Sequence, residues 1–222
     1  MAEQTEELPL APGPKKKVSI WYKIFAAVII FTMIGWVLAA YVDNQSNPDD
    51  NNNNNANTFD VSGYTFFMTP DGAFNTMFET GGGEMPVPFR LDPREAVNIP
   101  IDDSAVPALL SVSKVYITSS PKVENYSYYA MAGVQIARLL GIYGIETLGA
   151  YTEDNDPPNP NVPLRTCSDA NLERKVAVIY VHLDNTTEVR NENGCIHITG
   201  PTVEDLVEAA DKLGYHLIGV KI

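Results

Sequence analysis

Positive charge is missing from a long stretch of this sequence: no Lys or Arg occurs between Lys23 and Arg90, and residues 24–42 carry no charge of either sign. Chemistry-bearing residues are scarce as well, with only two cysteines and three histidines in 222 residues. There is no GxSxG elbow, no Walker loop, no dinucleotide fingerprint, no HExxH or HxH spacing and no zinc-type cysteine spacing. These gaps remove the sequence support for the common hydrolase, nucleotide-dependent and zinc-dependent classes. The triple glycine at 81–83 has no following lysine or helix start, so it does not read as a phosphate loop.

What the uncharged stretch does offer is length. Nineteen helical residues rise roughly 28 Å, close to the hydrocarbon thickness of a bilayer. Lys15, Lys16, Lys17 and Lys23 flank one end only, and the aromatic pairs Trp21/Tyr22 and Trp36/Tyr41 mark both interfaces. The positive-inside rule then places residues 1–17 in the cytoplasm, an anchor at 18–42, and the rest outside, as a single-pass membrane protein. A cleaved secretory signal is the alternative, since residues 37–40 offer small side chains to a peptidase. Signal cores run about 7–15 residues, shorter than this one.

Residues 43–58 follow as an Asn-rich run with five consecutive asparagines at 51–55. It has nothing apolar to bury and reads as a disordered linker, with a reach on the order of 20 Å. Asn44, Asn125 and Asn185 each open an Asn-x-Ser/Thr sequon on the expected outer side, so glycosylation is permitted there. Residues 43–222 hold 25 acidic and 11 basic side chains, a net charge of −14. Such a surface repels nucleic acid and anionic headgroups.

Residues 59–222 suffice for one domain. Aromatic runs at 63–69 and 74–78, joined by Pro70-Asp71-Gly72, read as a hairpin. Residues 81–88 read as a glycine and proline loop, 97–101 as an extended piece, and 105–110 as a helical turn. Strands are expected at 114–118, 145–151, 176–183, 187–190 and 195–199, the third with Ala177, Ile179, Val181 and Leu183 alternating onto one apolar face. Helices are expected at 126–140, ended by Gly141, and after the capping pair Thr202/Asp205, where Val203, Leu206, Val207, Ala210, Leu213 and Leu217 share one face. The fold class is therefore α+β (or α/β): a mixed sheet with two main helices packed on it.

Cys167 and Cys195 are an even pair in an exterior domain and are expected to form a disulfide. A reactive thiol or metal pair would need further ligands or a thiolate-favouring neighbourhood, and the sequence displays neither. No cofactor and no metal is expected. His182 and His197 fall on strands, so neighbouring strands would bring their rings to one face near Asp184, a conceivable metal or acid/base site. His216 falls in the last helical turn, where a partly positive ring would suit the helix dipole. Asp102 and Asp103 are adjacent on the chain and point apart, unlike a catalytic dyad. Residues 119–121 and 199–201 precede helices and could offer backbone N–H groups to an anion.

The segments Ser62-Gly-Tyr-Thr-Phe, Asp92-Pro-Arg-Glu-Ala-Val-Asn-Ile, Lys114-Val-Tyr-Ile-Thr, Thr166-Cys-Ser-Asp-Ala, Gly194-Cys-Ile-His-Ile and Asp205-Leu-Val-Glu-Ala-Ala-Asp-Lys-Leu-Gly-Tyr, with the basic N-terminus and anchor, resemble an uncharacterised archaeal family of single-pass membrane-anchored proteins. The resemblance implies an extracytoplasmic α/β domain and carries no activity with it. The expectation is an interaction or structural module of the cell envelope, with a protein partner at the surface or in the membrane. A surface hydrolase or ligand-binding enzyme using the His182/His197 face is the alternative.

Overall fold

The computed structural model describes residues 58–154 and 159–222; the anchor, most of the linker and the Asn44 sequon lie outside the described residues. The first strand, β1 (Thr58–Val61), begins on the last residue assigned to the linker. It pairs antiparallel with β2 (Tyr64–Met68), which pairs with β3 (Phe74–Thr80). The β2–β3 connection is the Pro-Asp-Gly turn read from the sequence, closed by Thr69 N–H donating to the Ala73 carbonyl at 2.9 Å.

Residues 83–89 correct the sequence reading. They form strand β4 (Gly83–Phe89), paired along its whole length with β3, where a loop was expected. Pro86 and Pro88 are tolerated because β4 is the edge of this four-stranded sheet. Their carbonyls face outward and accept from Arg138 Nη2 (3.0 Å) and Gln135 Nε2 (2.6 Å). On a strand a residue's N–H points the same way as its carbonyl, so the two missing donors fall on the side that needs none.

A 3₁₀ turn at Ala96–Asn98 occupies part of the expected extended piece, and helix α1 (Ala105–Leu110) follows. The second sheet contains β5 (Lys114–Ser119), β6 (Glu146–Tyr151), β7 (Val176–Leu183), β8 (Glu188–Glu192) and β9 (Cys195–Gly200), in the order β6-β5-β7-β9-β8. All neighbours are parallel except the β8–β9 hairpin. Between β5 and β6 runs α2 (Tyr126–Ile142), and α3 (Val203–Leu217) follows β9. Helix α2 passes Gly141 and ends one residue later, at Ile142; Gly144, at φ +72°, makes the turn into β6. The Thr202/Asp205 capping box opens α3 as read, with each residue's side chain accepting from the other's backbone N–H.

The domain is a mixed α+β structure with two sheets and three helices. Val115, Ala177, Ile179, Val181, Ile196 and Ile198 form the buried face under α2 and α3. The four-stranded sheet covers the opposite side of the helix pair, with Phe89 stacked on Tyr215 at 4.0 Å and Phe66 edge-on to the same ring. This second cover changes the reading of α3, whose expected single apolar face is joined by buried Asp211, Lys212 and Tyr215. Each of these polar groups is satisfied. Asp211 Oδ2 accepts from the backbone of Arg90 (2.6 Å) and Leu91 (2.9 Å), Lys212 Nζ donates to the carbonyls of Ala96 (2.8 Å) and Ile222 (2.7 Å), and Tyr215 donates to the Leu91 carbonyl. Among the described residues, no helix is long and apolar enough to cross a membrane.

Candidate functional site: the helix-free sheet face

Side chains alternate along a strand, so the residues between the buried positions of β5, β7 and β9 point away from the helices. On β7 these are Val178, Tyr180 and His182; on β9 they are Cys195, His197 and Thr199; on β8 they are Glu188, Arg190 and Glu192. The register sets Tyr180 beside His197 and His197 beside Arg190, making one row across three strands. The β8–β9 hairpin is set by Asn193 and Gly194, both at positive φ, as a two-residue primed turn requires.

Part of this face is covered by a returning strap. Residues 163–175 cross it, held by Thr118 Oγ1 donating to the Arg165 carbonyl (2.8 Å) and by the Arg165 guanidinium over the Tyr116 ring. Within the strap, Thr166 and Asp169 form a second capping box around the 3₁₀ turn Cys167–Asp169. That turn delivers Cys167 to Cys195, and the two are joined as a disulfide. Gly194 lies directly under Leu172: a Cβ there would meet Leu172 Cδ2 at 2.8 Å.

The structure brings His182 and His197 together, with Nε2 of the first 3.1 Å from Nδ1 of the second. Tyr180 stacks on the His182 ring at 4.2 Å. The partners assign the protons. His182 Nδ1 faces the Leu183 carbonyl at 3.2 Å and must donate, so His182 Nε2 accepts from His197 Nδ1–H. His197 Nε2 is then left as a bare lone pair. It faces Cys167 Sγ at 3.5 Å and Glu192 Oε2 at 3.6 Å. Burial holds the His197 pKa below the usual histidine value, with the Glu192 carboxylate opposing. Arg190 Nη1 pairs with the other Glu192 oxygen at 2.7 Å, and its Nε lies 2.9 Å from Glu188 Oε1 without hydrogen-bond alignment.

Asp184 Oδ1 accepts from Asn185 N–H (2.7 Å), and its charge is near enough to oppose, weakly, the lowering of the His197 pKa. Asn125 and Asn185 are both exposed. Asp102 is engaged by the backbone and hydroxyl of Ser104, and no dyad with Asp103 forms. His216 corrects the dipole argument. Burial lowers its pKa and favours the neutral ring, which lies 3.2 Å from the Ile222 carbonyl. Residues 119–121 lie several positions before α2, whose N-cap is Asn125, so they do not form the helix start.

The proximity of Cys167 to His197 is absent from the sequence reading. The two are 30 positions apart, but a signal was present: Cys195 and His197 share a face of β9, so the expected Cys167–Cys195 bond also brings Cys167 beside His197. Cys167, Cys195 and His197 together place three metal-ligating atoms within 4.8 Å of one another. Such a set could hold a soft or borderline divalent ion once the sulfurs are free. Compared with protein-family models, curated proteins and solved structures, the chain matches none of them.

Proposed function

We propose that this chain is a single-pass, membrane-tethered module whose α+β domain stands outside the membrane and binds a protein partner of the cell envelope. The observation that carries this reading is the uncharged run of residues 24–42 with lysines on one flank only, followed by a polar tether. The resemblance to archaeal single-pass proteins points the same way. Within the domain, the row Tyr180, His197 and Arg190 with flanking Glu188 and Glu192 supports a polar recognition surface, because long helices cover only the other face of the sheet.

Protease added to intact cells should degrade residues 59–222 and spare the N-terminal tail. Full protection of the domain, or a mature product starting near residue 41, would refute the tethering. Pull-down of the detergent-extracted chain should recover a stoichiometric partner, and replacing Tyr180 and Arg190 with alanine should release it. Recovery unchanged by those replacements would exclude this face as the partner surface.

The contact between His182 and His197 favours a second reading, a ligand-binding or hydrolytic surface on the same face. Replacing both histidines with alanine should abolish ligand or metal binding while leaving the fold intact. Binding that survives the double replacement would exclude that site.

A further inference from the structure

Three electron-rich groups converge beside the strap, the sulfurs of Cys167 and Cys195 and Nε2 of His197, and Glu192 Oε2 lies 3.6 Å from the same imidazole nitrogen. The His197 lone pair is held there by a relay, Leu183 carbonyl to His182 to His197, which fixes the tautomer from behind. Histidines that bind metals are held in this way, with the non-ligating nitrogen donating to an acceptor. Among the described residues, Nε2 has no donor facing it.

Two of the spacings around His197 Nε2 suit one ion. With metal–sulfur bonds of about 2.3 Å and metal–nitrogen or metal–oxygen bonds of about 2.0–2.1 Å, a tetrahedral site sets S and N about 3.5 Å apart and N and O about 3.3 Å apart. The corresponding separations are 3.5 Å for Cys167 Sγ to His197 Nε2 and 3.6 Å for His197 Nε2 to Glu192 Oε2. Cys195 is buried, whereas Cys167 is half-buried and Glu192 exposed, so the ion's path of entry is from the Cys167 and Glu192 side.

We propose that reduction of the Cys167–Cys195 disulfide converts this cluster into a zinc-type metal site, with two thiolates and His197 Nε2 as ligands and the exposed Glu192 carboxylate turning in from its Arg190 pairing as the fourth. The reductant is a dithiol. Its two sulfurs become a disulfide, and the two electrons and two protons it gives up leave Cys167 and Cys195 as thiols. Entry of a divalent ion then releases both thiol protons to solvent. The oxidised protein has no such site, because the sulfurs are bonded to each other. Metal binding is thereby coupled to the redox state of the strap, and the proposal is independent of which side of a membrane the domain occupies.

The test uses the full chain in detergent, reduced with a phosphine, desalted without oxygen and titrated with Co²⁺ alone. One equivalent should bind, with thiolate-to-metal charge-transfer absorption and the visible bands of a tetrahedral ion, and Zn²⁺ should displace it. The oxidised chain should show neither. Replacing His197 or Glu192 with glutamine should weaken binding at least tenfold, and His182→Ala should keep the thiolate band but lower affinity by about 10–100-fold. Should the reduced chain lose its circular dichroism, Zn²⁺ must restore it, since ligand-driven folding is then the readout. Absence of a tetrahedral cobalt spectrum, equal affinity in His197→Gln, or failure of Zn²⁺ to restore a lost fold would each overturn the proposal.

Discussion

Asp211 lies in the middle of α3 with 2% of its surface exposed, and its charge has little solvent to spread into. Burial pushes its carboxyl up to about 6 from an ordinary 3.8, while the backbone donors Arg90 and Leu91 partly hold it down. The folded pKa is therefore above the unfolded one. Below about pH 3.8 both states are protonated and the full stability is present. Between there and about pH 6 the unfolded chain releases its proton first, so stability falls as pH rises and levels off above. The displacement corresponds to about 3 kcal/mol across that window. Asp211→Asn keeps an oxygen to accept both backbone N–H groups and removes the charge. Urea unfolding of the chain at matched ionic strength from pH 4 to 7.5 should show the downward slope in the native protein and a flatter profile in the variant. The difference between the two profiles isolates Asp211 from every other titrating group. If native stability instead rose through this window relative to the variant, the two amide donors would outweigh burial, and the account of this carboxyl would be wrong in sign.

Three further outcomes follow from the packing. Gly200→Ala should cost more than Gly214→Ala: a Cβ at 200 meets the Asp205 backbone at 2.9 Å, whereas at 214 it meets the Phe89 ring at 2.9 Å and the Leu139 tip at 3.0 Å. The second should cost about 1–3 kcal/mol, and thermal unfolding that ranked them in reverse would contradict the described entry to α3. Cys195→Ser should destabilise by about 3–4 kcal/mol, the loop-entropy value for a 28-residue separation, measured by denaturant midpoint; a loss under 1 kcal/mol would show the strap held without the bond. Thr202→Ala removes the hydroxyl that caps Asp205 and should cost about 1 kcal/mol, with Thr202→Ser restoring it.

Local chemistry made much of this domain readable. The Pro-Asp-Gly turn, the alternation of Ala177, Ile179 and Val181, and the Thr202/Asp205 cap each act over a few residues, and the structure has them where they were expected. Leu183 breaks the alternation at the strand end, where it is exposed. Strand β4 was illegible because two prolines in seven residues argue against a ladder, unless one knows that the strand is an edge and that Gln135 and Arg138 occupy its outer carbonyls. The burial of Asp211, Lys212 and Tyr215 was hidden for a related reason. Polar side chains on a helix read as its solvent side until a second sheet is found lying over them. At the candidate site, the strand assignments of His182 and His197 allowed a shared face, but their contact needed β9 to return beside β7, and the approach of Cys167 needed the strap as well.

The borders of the two sheets bear on how neighbouring copies behave at high density. Along β4, prolines and helix side chains leave no run of free donors and acceptors. On β8, Val189 exchanges backbone hydrogen bonds with Pro100 and Asp102, and at the end of β6, Tyr151 does so with Pro163 and Arg165. Unpaired strand margins are templates on which a second chain can crystallise into fibres. Covered at these points, β4, β6 and β8 give a second copy of the domain little to pair with.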